Sequence, residues 1–333
     1  MKRFFKFAQS GVFALASLFP AWSADALRFE FVDVEGGQAT LIVTPRGESL
    51  LIDTGWPGFD GRDANRIVTA AQKYGIKQID WLVITHFHTD HVGGIKQLVA
   101  RMPVVNVVDH GPTVETSPQA AALYQDYEEV AKKAKRLTVK PGDRIPVKGV
   151  TVEVVAANGE LVVRKGTPNP LCAGVEKKAE DKGENARSVG LLITFGKFRF
   201  LNLGDLTWNK ELELACPENR LGKIDVYLTT HHGMDISGPP ALVHALSPKV
   251  AIMNNGEKKG GAPASWKVIR TSPGLLDLWQ IHFSAAGGAE HNTDERMIAN
   301  LSGSDPGYSL SMQAYSSGKF TVSNSRNGFS KSY

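Results

Sequence analysis

The order of elements along the chain predicts an α/β (α+β) fold, a four-layer αββα sandwich with helices outside two facing sheets. Three observations lead there. Residues 27–34, 39–44 and 49–53 read as strands punctuated by Gly36-Gly37 and by the turn Pro45-Arg46-Gly47-Glu48. A helix-bearing middle follows, and strands and helices recur in the second half. Each half therefore has a sheet face and a helix stripe to bury, and two sheets packed face to face between helices bury both.

The elements follow in order. Residues 27–34 alternate like a half-buried strand, and 39–44 and 49–53 form a hairpin. Residues 63–74 read as a helix stopped by Gly75, and the apolar run 79–85 as a strand. A helix is expected at 94–101, a buried strand at 104–109, and a helix with a charged face at 118–136. A strand at 150–157 leads into 158–186, rich in Gly, Pro and charge, which reads as a long surface loop. Strands at 188–195 and 198–203 turn at Gly196-Lys197. Then come a helix at 208–215, a strand at 224–230, a helix at 239–246, a strand at 249–254 and a helix at 264–270. The tail, 308–315 and 319–324, alternates like a final hairpin. The segment 111–118 and the region 256–290, with Trp266, Trp279 and His282, are expected to shape a pocket.

The chain has 333 residues, 42% hydrophobic and 22% charged, an ordinary composition for a chain with a sizeable core. Its first residues differ. Lys2, Arg3 and Lys6 precede an apolar run over 7–19 and then Pro20-Ala21-Trp22-Ser23-Ala24. This reads as a signal peptide over 1–24, cleaved after Ser23 or Ala24, since the run is short for a bilayer span. Residues 25–333 are then one domain with a C-terminal β extension, periplasmic or secreted, with no transmembrane segment left. The formal charge of +4 less the three leader cations leaves +1, so charge does not indicate nucleic acid as a partner. Cys172 and Cys216 lie in no C-x-x-C pattern, and in an oxidising compartment they are expected to form one disulfide.

The chemistry is carried by Thr85-His86-Phe87-His88-Thr89-Asp90-His91, which follows the strand at 79–85. Three imidazoles and a carboxylate lie within six residues. His86 and His88 alternate, so in an extended segment both face one way, and Asp90 and His91 lie where the chain turns toward Gly93-Gly94. The spacing suits two divalent metal ions, zinc or else manganese or iron, rather than calcium or magnesium.

Further strand ends supply further ligands. His110, after 104–109, is a third nitrogen for the ion on His86 and His88. Asp205, leaving a buried strand through Gly204, is placed to bridge two cations or to cap the next helix. His231 and His232 end another strand. Neighbours on a strand face opposite ways, so His231 is read as the ligand and His232 as a catalytic residue that faces the substrate pocket or stands behind the ligands. Asp53 is either an acceptor that orients a ligand imidazole or a turn aspartate before Gly55.

Together Leu51–Gly55, His86–His91, His110, Gly204-Asp205 and His231 resemble the metallo-β-lactamase fold superfamily. The resemblance implies an αββα sandwich, a dinuclear site on the edge of the two sheets, and hydrolysis. Residues 31–40, 185–188, 200–205 and His231-His232-Gly233 are similar to the hydrolase domain of ComEC-type competence proteins and their free-standing relatives. Those domains carry a further histidine after the strand that here ends at Asn254-Asn255-Gly256, where this chain has Lys258-Lys259-Gly260-Gly261-Ala262-Pro263. Asp205 also sets the chain apart from true β-lactamases, which lack that bridging carboxylate.

The resemblance implies a water held between two dications, its pKa lowered from 15.7 toward about 7, with Asp90 accepting its proton. The expected substrate is a small molecule or an anionic ester, that is, a phosphodiester, an ester or a lactone. Lys258 and Lys259 either attract such an anion or form a solvated charge pair. A metal-binding sensor without turnover and an iron oxidoreductase are the rival classes.

Overall fold

A computed structural model describes residues 25–303 and 307–333. The expected signal peptide lies outside the described residues. Among the described residues the strands form two large sheets and one short two-stranded ribbon.

The first sheet runs, edge to edge, Ser330–Ser332, Phe320–Asn324, Leu310–Ala314, Leu27–Phe31, Thr40–Val43, Ser49–Ile52, Ile79–Val83, Val104–Asp109 and Lys135–Thr138. Its last four strands are mutually parallel. The second runs Ile298–Asn300, Asp277–His282, Val250–Met253, Val226–Leu228, Phe198–Asn202, Gly190–Phe195, Thr151–Ala157 and Arg144–Ile145, with Glu160–Leu161 paired to Thr151–Ala157. From Phe198–Asn202 to Ile298–Asn300 it too is parallel.

Three apolar clusters fill the spaces between four layers, as the αββα reading requires. Phe29, Phe31, Phe200, Ile252 and Trp279 belong to the cluster between the sheets. Outside the first sheet, Leu41, Leu51 and Leu82 meet the helices Arg62–Lys73, Ile95–Val99 and Pro118–Ala131. Outside the second, Leu201, Tyr227 and Ala251 meet Trp208–Ala215, Pro240–Leu246 and Pro263–Arg270. The helix Arg62–Lys73 buries Ala64, Ile67, Ala70 and Ala71, the spacing of a single helical stripe. Pro118–Ala131 starts where Ser117 accepts from the Ala120 N–H and Pro118 occupies the first turn.

Four expectations change. The helix expected to reach 136 ends at Ala131, and Lys135–Thr138 becomes an edge strand because Arg136 reaches back to Asp109, Nε to Oδ2 at 2.6 Å. The segment 158–186 is not only surface, because Asn169 and Glu184 are buried within it. Asp277–His282 and Ile298–Asn300 are strands that polar residues conceal from periodicity. Trp279 is core rather than pocket lining, its Nε1 donating to the Tyr333 hydroxyl at 2.9 Å. Cys172 and Cys216 form the expected disulfide. The tail hairpin pairs with Leu27–Phe31 and extends the first sheet. Among the described residues no helix is long and apolar enough to cross a membrane.

Phe200 packs on Phe29, ring centroids 4.9 Å apart, at the centre of the inter-sheet cluster. Phe200→Ala should cost about 3–5 kcal/mol, read as a lower urea midpoint with an unchanged slope.

Candidate metal centre

The two sets of parallel strands end on a common rim, and the histidines and aspartates lie just past those ends. Ile79–Val83 hands over to an extended segment in which His88 is still β-like (φ −80°, ψ 154°). One short helix, Thr89–Val92, then carries Asp90 and His91. The Asp53–Pro57 loop lies against this helix so closely that only glycine fits at the next two positions. A Cβ on Gly93 would come within 2.3 Å of Pro57 Cδ, and one on Gly94 within 2.2 Å of the Thr54 carbonyl oxygen. From the second sheet, Gly204 (φ +57°) turns the chain into Asp205, whose N–H donates to Ser188 Oγ.

Asp90, His91, Asp205 and His232 bring their ligand atoms within 4.8 Å of one another, all buried. His91 Nε2 lies 3.2 Å from Asp90 Oδ2 and 3.3 Å from Asp205 Oδ2. His231 Nε2 is 3.3 Å, and His86 Nε2 3.9 Å, from the same Asp205 oxygen. His88 turns its Nδ1 to within 3.0 Å of His86 Nε2, leaving its Nε2 toward Glu115 Oε1 at 3.7 Å. Asp205 thus sits among residues from both sheets, where the sequence reading put a bridging carboxylate. It does not cap the next helix, whose N-cap is Thr207.

His231 reaches the centre, and His232 departs from its expected role. The strand ends at Leu228, and both histidines adopt left-handed backbone (φ 55° and 56°). Opposite facing on a strand therefore no longer applies, and both rings enter the centre. His232 belongs to the tight group, its Nε2 3.3 Å from Asp90 Oδ2 and 3.4 Å from Asp205 Oδ1. His110 is the second correction. Its Nε2 lies 3.0 Å from Glu184 Oε2, its buried Nδ1 has no hydrogen-bond partner, and it is not in the group of ligand atoms that converges at the centre.

The surrounding residues orient the ligands. Asp53 Oδ2 is 2.8 Å from His91 Nδ1 and accepts from Thr85 Oγ1, so of the two readings of Asp53 the orienting one holds and Nε2 is left for the centre. Ser237 Oγ stands 3.3 Å from His231 Nδ1, and the Asn254 carbonyl oxygen 3.2 Å from His232 Nδ1. Glu184 accepts from the Phe87 N–H between His86 and His88, and from Thr113 Oγ1 and the Val114 N–H. Sequence reading missed Glu184, Glu115, Ser237 and Trp56. Only Glu184 left a signal, an acid directly before the Asn185–Ser188 stretch.

Charge follows this packing. Burial would raise Asp90 and Asp205, yet His91 above all holds both carboxyls well below their usual range. Burial would lower His91, but Asp205, Asp90 and Asp53 lift it well above the usual imidazole value. Burial lowers His231 to about 4 and drives His86 well down. Ionised carboxylates and neutral imidazoles are the ligand forms that divalent ions take, and His91 would release a proton on binding. The donor set of carboxylate oxygen and imidazole nitrogen converging on one buried point fits such ions.

Fold and centre together define the class, a hydrolase-type αββα sandwich with a candidate metal site. Residues 32–173 match the family model of the metallo-beta-lactamase superfamily. It is 26% identical over 239 residues to recombination protein 2 of Haemophilus influenzae, covering 71% of this chain and 24% of that one. It is 25% identical over 261 residues to ComE operon protein 3 of Bacillus subtilis, covering 74% and 30%. It is also 32% identical over 101 residues to the hydroxyacylglutathione hydrolase of Photobacterium profundum, covering 30% and 37%. The chain thus spans less than a third of the length of the two competence-related relatives.

His91→Ala should lower bound zinc per chain measured by atomic emission, while His110→Ala should leave it unchanged. A second expectation concerns Glu184. Burial would raise its carboxyl, but His110 and the Val114 and Phe87 N–H groups hold it down to about 2, against an ordinary 4.5. Its stabilisation is therefore complete above pH 4.5 and lost as pH falls toward about 2. Glu184→Gln should cost about 1–3 kcal/mol near neutrality and flatten the urea midpoint across that acid interval.

Proposed function

We propose that the protein is an exported metal-dependent hydrolase that cleaves a phosphodiester, or a carboxylic ester or lactone. The observation that carries this reading is the convergence of Asp90, His91, Asp205 and His232 on one buried point. His86, His88, Asp90, His91, Asp205, His231 and His232 would hold the metal, zinc or else manganese or iron, with His231 Nε2 3.3 Å from Asp205 Oδ2. When bound, divalent ions there supply a Lewis acid and acidify a water toward neutral pH.

The chain's own groups do the rest. Asp53 holds the His91 ring in one orientation, and Ser237 and the Asn254 carbonyl do the same for His231 and His232. Asp90 keeps its carboxylate ionised at the rim, where it can take a proton from the attacking water. Thr85 and Phe87, buried behind the histidines, exclude bulk water from that side. The name of the Photobacterium relative, a hydrolase, supports hydrolysis as the reaction class. Export is supported by the basic and apolar start of the chain and by the Cys172–Cys216 disulfide.

The test is to measure metal content and to assay bis-p-nitrophenyl phosphate, a p-nitrophenyl ester and a lactone. Turnover of at least one is expected, with Asp205→Asn lowering kcat/KM by more than about 100-fold. Metal without turnover of any of the three would overturn the hydrolase reading.

A further inference from the structure

Of the two lysines after Val250–Met253, one is exposed and the other is half-buried. Lys258 is exposed. Lys259 points inward, its Nζ in contact with Asp90 Oδ2 and 5.1 Å from the centre of the Trp56 ring. Resting on the proposed hydrolase reading, we propose that Lys259 is the substrate-selecting residue of this site, holding an anionic group, a phosphodiester oxygen, against the wall made by Trp56.

The position is built rather than incidental. The Gly256 N–H donates to the Lys259 carbonyl at 2.9 Å, closing a turn. The Gly261 N–H donates to the His232 carbonyl and the Ala262 N–H to the Gly233 carbonyl, fastening the turn to the histidine pair. Contact is close enough that a Cβ on Gly260 would lie 2.1 Å from the His232 oxygen, and one on Gly36 2.8 Å from the Gly256 nitrogen. Trp56 is fixed by its backbone N–H to Asp63 Oδ2, and its ring lies against Gly37. A primary ammonium is thus delivered to the rim on a short clamped loop.

Charge around the rim is unequal. Lys259 stands on the Asp90 and His232 side, and Glu115 faces His88 on the other. With metal bound, Asp90 would be one of its ligands, and the nearby positive charge would weaken the pairing of the Lys259 ammonium with that carboxylate. Lys259 then keeps the aromatic face of Trp56 and needs an anion as its partner. A substrate with negative charge beside its scissile bond meets that need and is turned away from Glu115. A neutral ester gains nothing from it.

The test compares the wild type, Lys259→Met and Lys259→Arg. Two measurements are made on zinc-loaded protein: calorimetric titration with inorganic phosphate, and kcat/KM for bis-p-nitrophenyl phosphate and for p-nitrophenyl acetate. Lys259→Met should weaken phosphate binding roughly tenfold and lower the anionic-to-neutral kcat/KM ratio by a similar factor, mostly through KM. Lys259→Arg should restore most of both. Unchanged phosphate affinity, or an equal loss on both esters, would overturn the proposal and leave Lys259 a counter-charge for Asp90. If the wild type turns over neither ester the hydrolase reading fails, and the phosphate titration then decides Lys259 alone.

Discussion

Two carboxylates and several imidazoles are buried at one point, and the cost of that burial governs the rest of the molecule. An unpaired charge in such a place costs several kcal/mol, so every member must have partners on all sides. Asp90 and Asp205 are ionised because His91, His231 and His232 surround them, and His91 is held in turn by Asp53. Thr85 donates to Asp53 through both its N–H and its hydroxyl, which extends the pairing into the backbone that follows Ile79–Val83. The centre is therefore prearranged by hydrogen bonds reaching well beyond the ligands.

Parallel strand pairing makes this convergence possible. Ser49–Ile52 and Ile79–Val83 run side by side in one sheet, Phe198–Asn202 and Val226–Leu228 in the other. Parallel neighbours end on the same side, so the segments after them share a rim. Asp53, His86, Asp205 and His231 each follow one of these ends. Ligands of open α/β sheets gather at the carboxyl ends of strands for the same reason. The helices cover the outer faces of the two sheets and leave that rim free.

Glu184 shows how a loop becomes part of a site. Its carboxylate ties Phe87, His110, Thr113 and Val114 together, so the stretch from 158 to 186 ends as a buried brace under the histidine segment. His110 fills that brace instead of the metal centre. Spacing suggested a third histidine for one ion, and the fold instead turns the Nε2 of that ring to a carboxylate.

Much of this protein was legible in one dimension. Alternation and apolar runs have periods set by backbone geometry, so most strands and helices and their αββα order could be read directly. The segment from His86 to His91 and the Gly204-Asp205 pair could be read because metal ligation demands particular atoms at short range. What only the tertiary structure decided depends on long-range packing or on backbone conformation. His231 and His232 share the centre because both take left-handed backbone, which no alternation rule anticipates. The strand Asp277–His282 hides its Asp, Gln and His by pairing each with distant groups, and Trp279 is sealed between the sheets. Lys258 and Lys259 are chemically identical neighbours, and only the clamp of Gly260 and Gly261 on His232 turns one of them toward Asp90. Sequence names the groups able to act, while three-dimensional packing selects which of them meet, because burial and pairing are properties of surroundings that the chain assembles from remote segments.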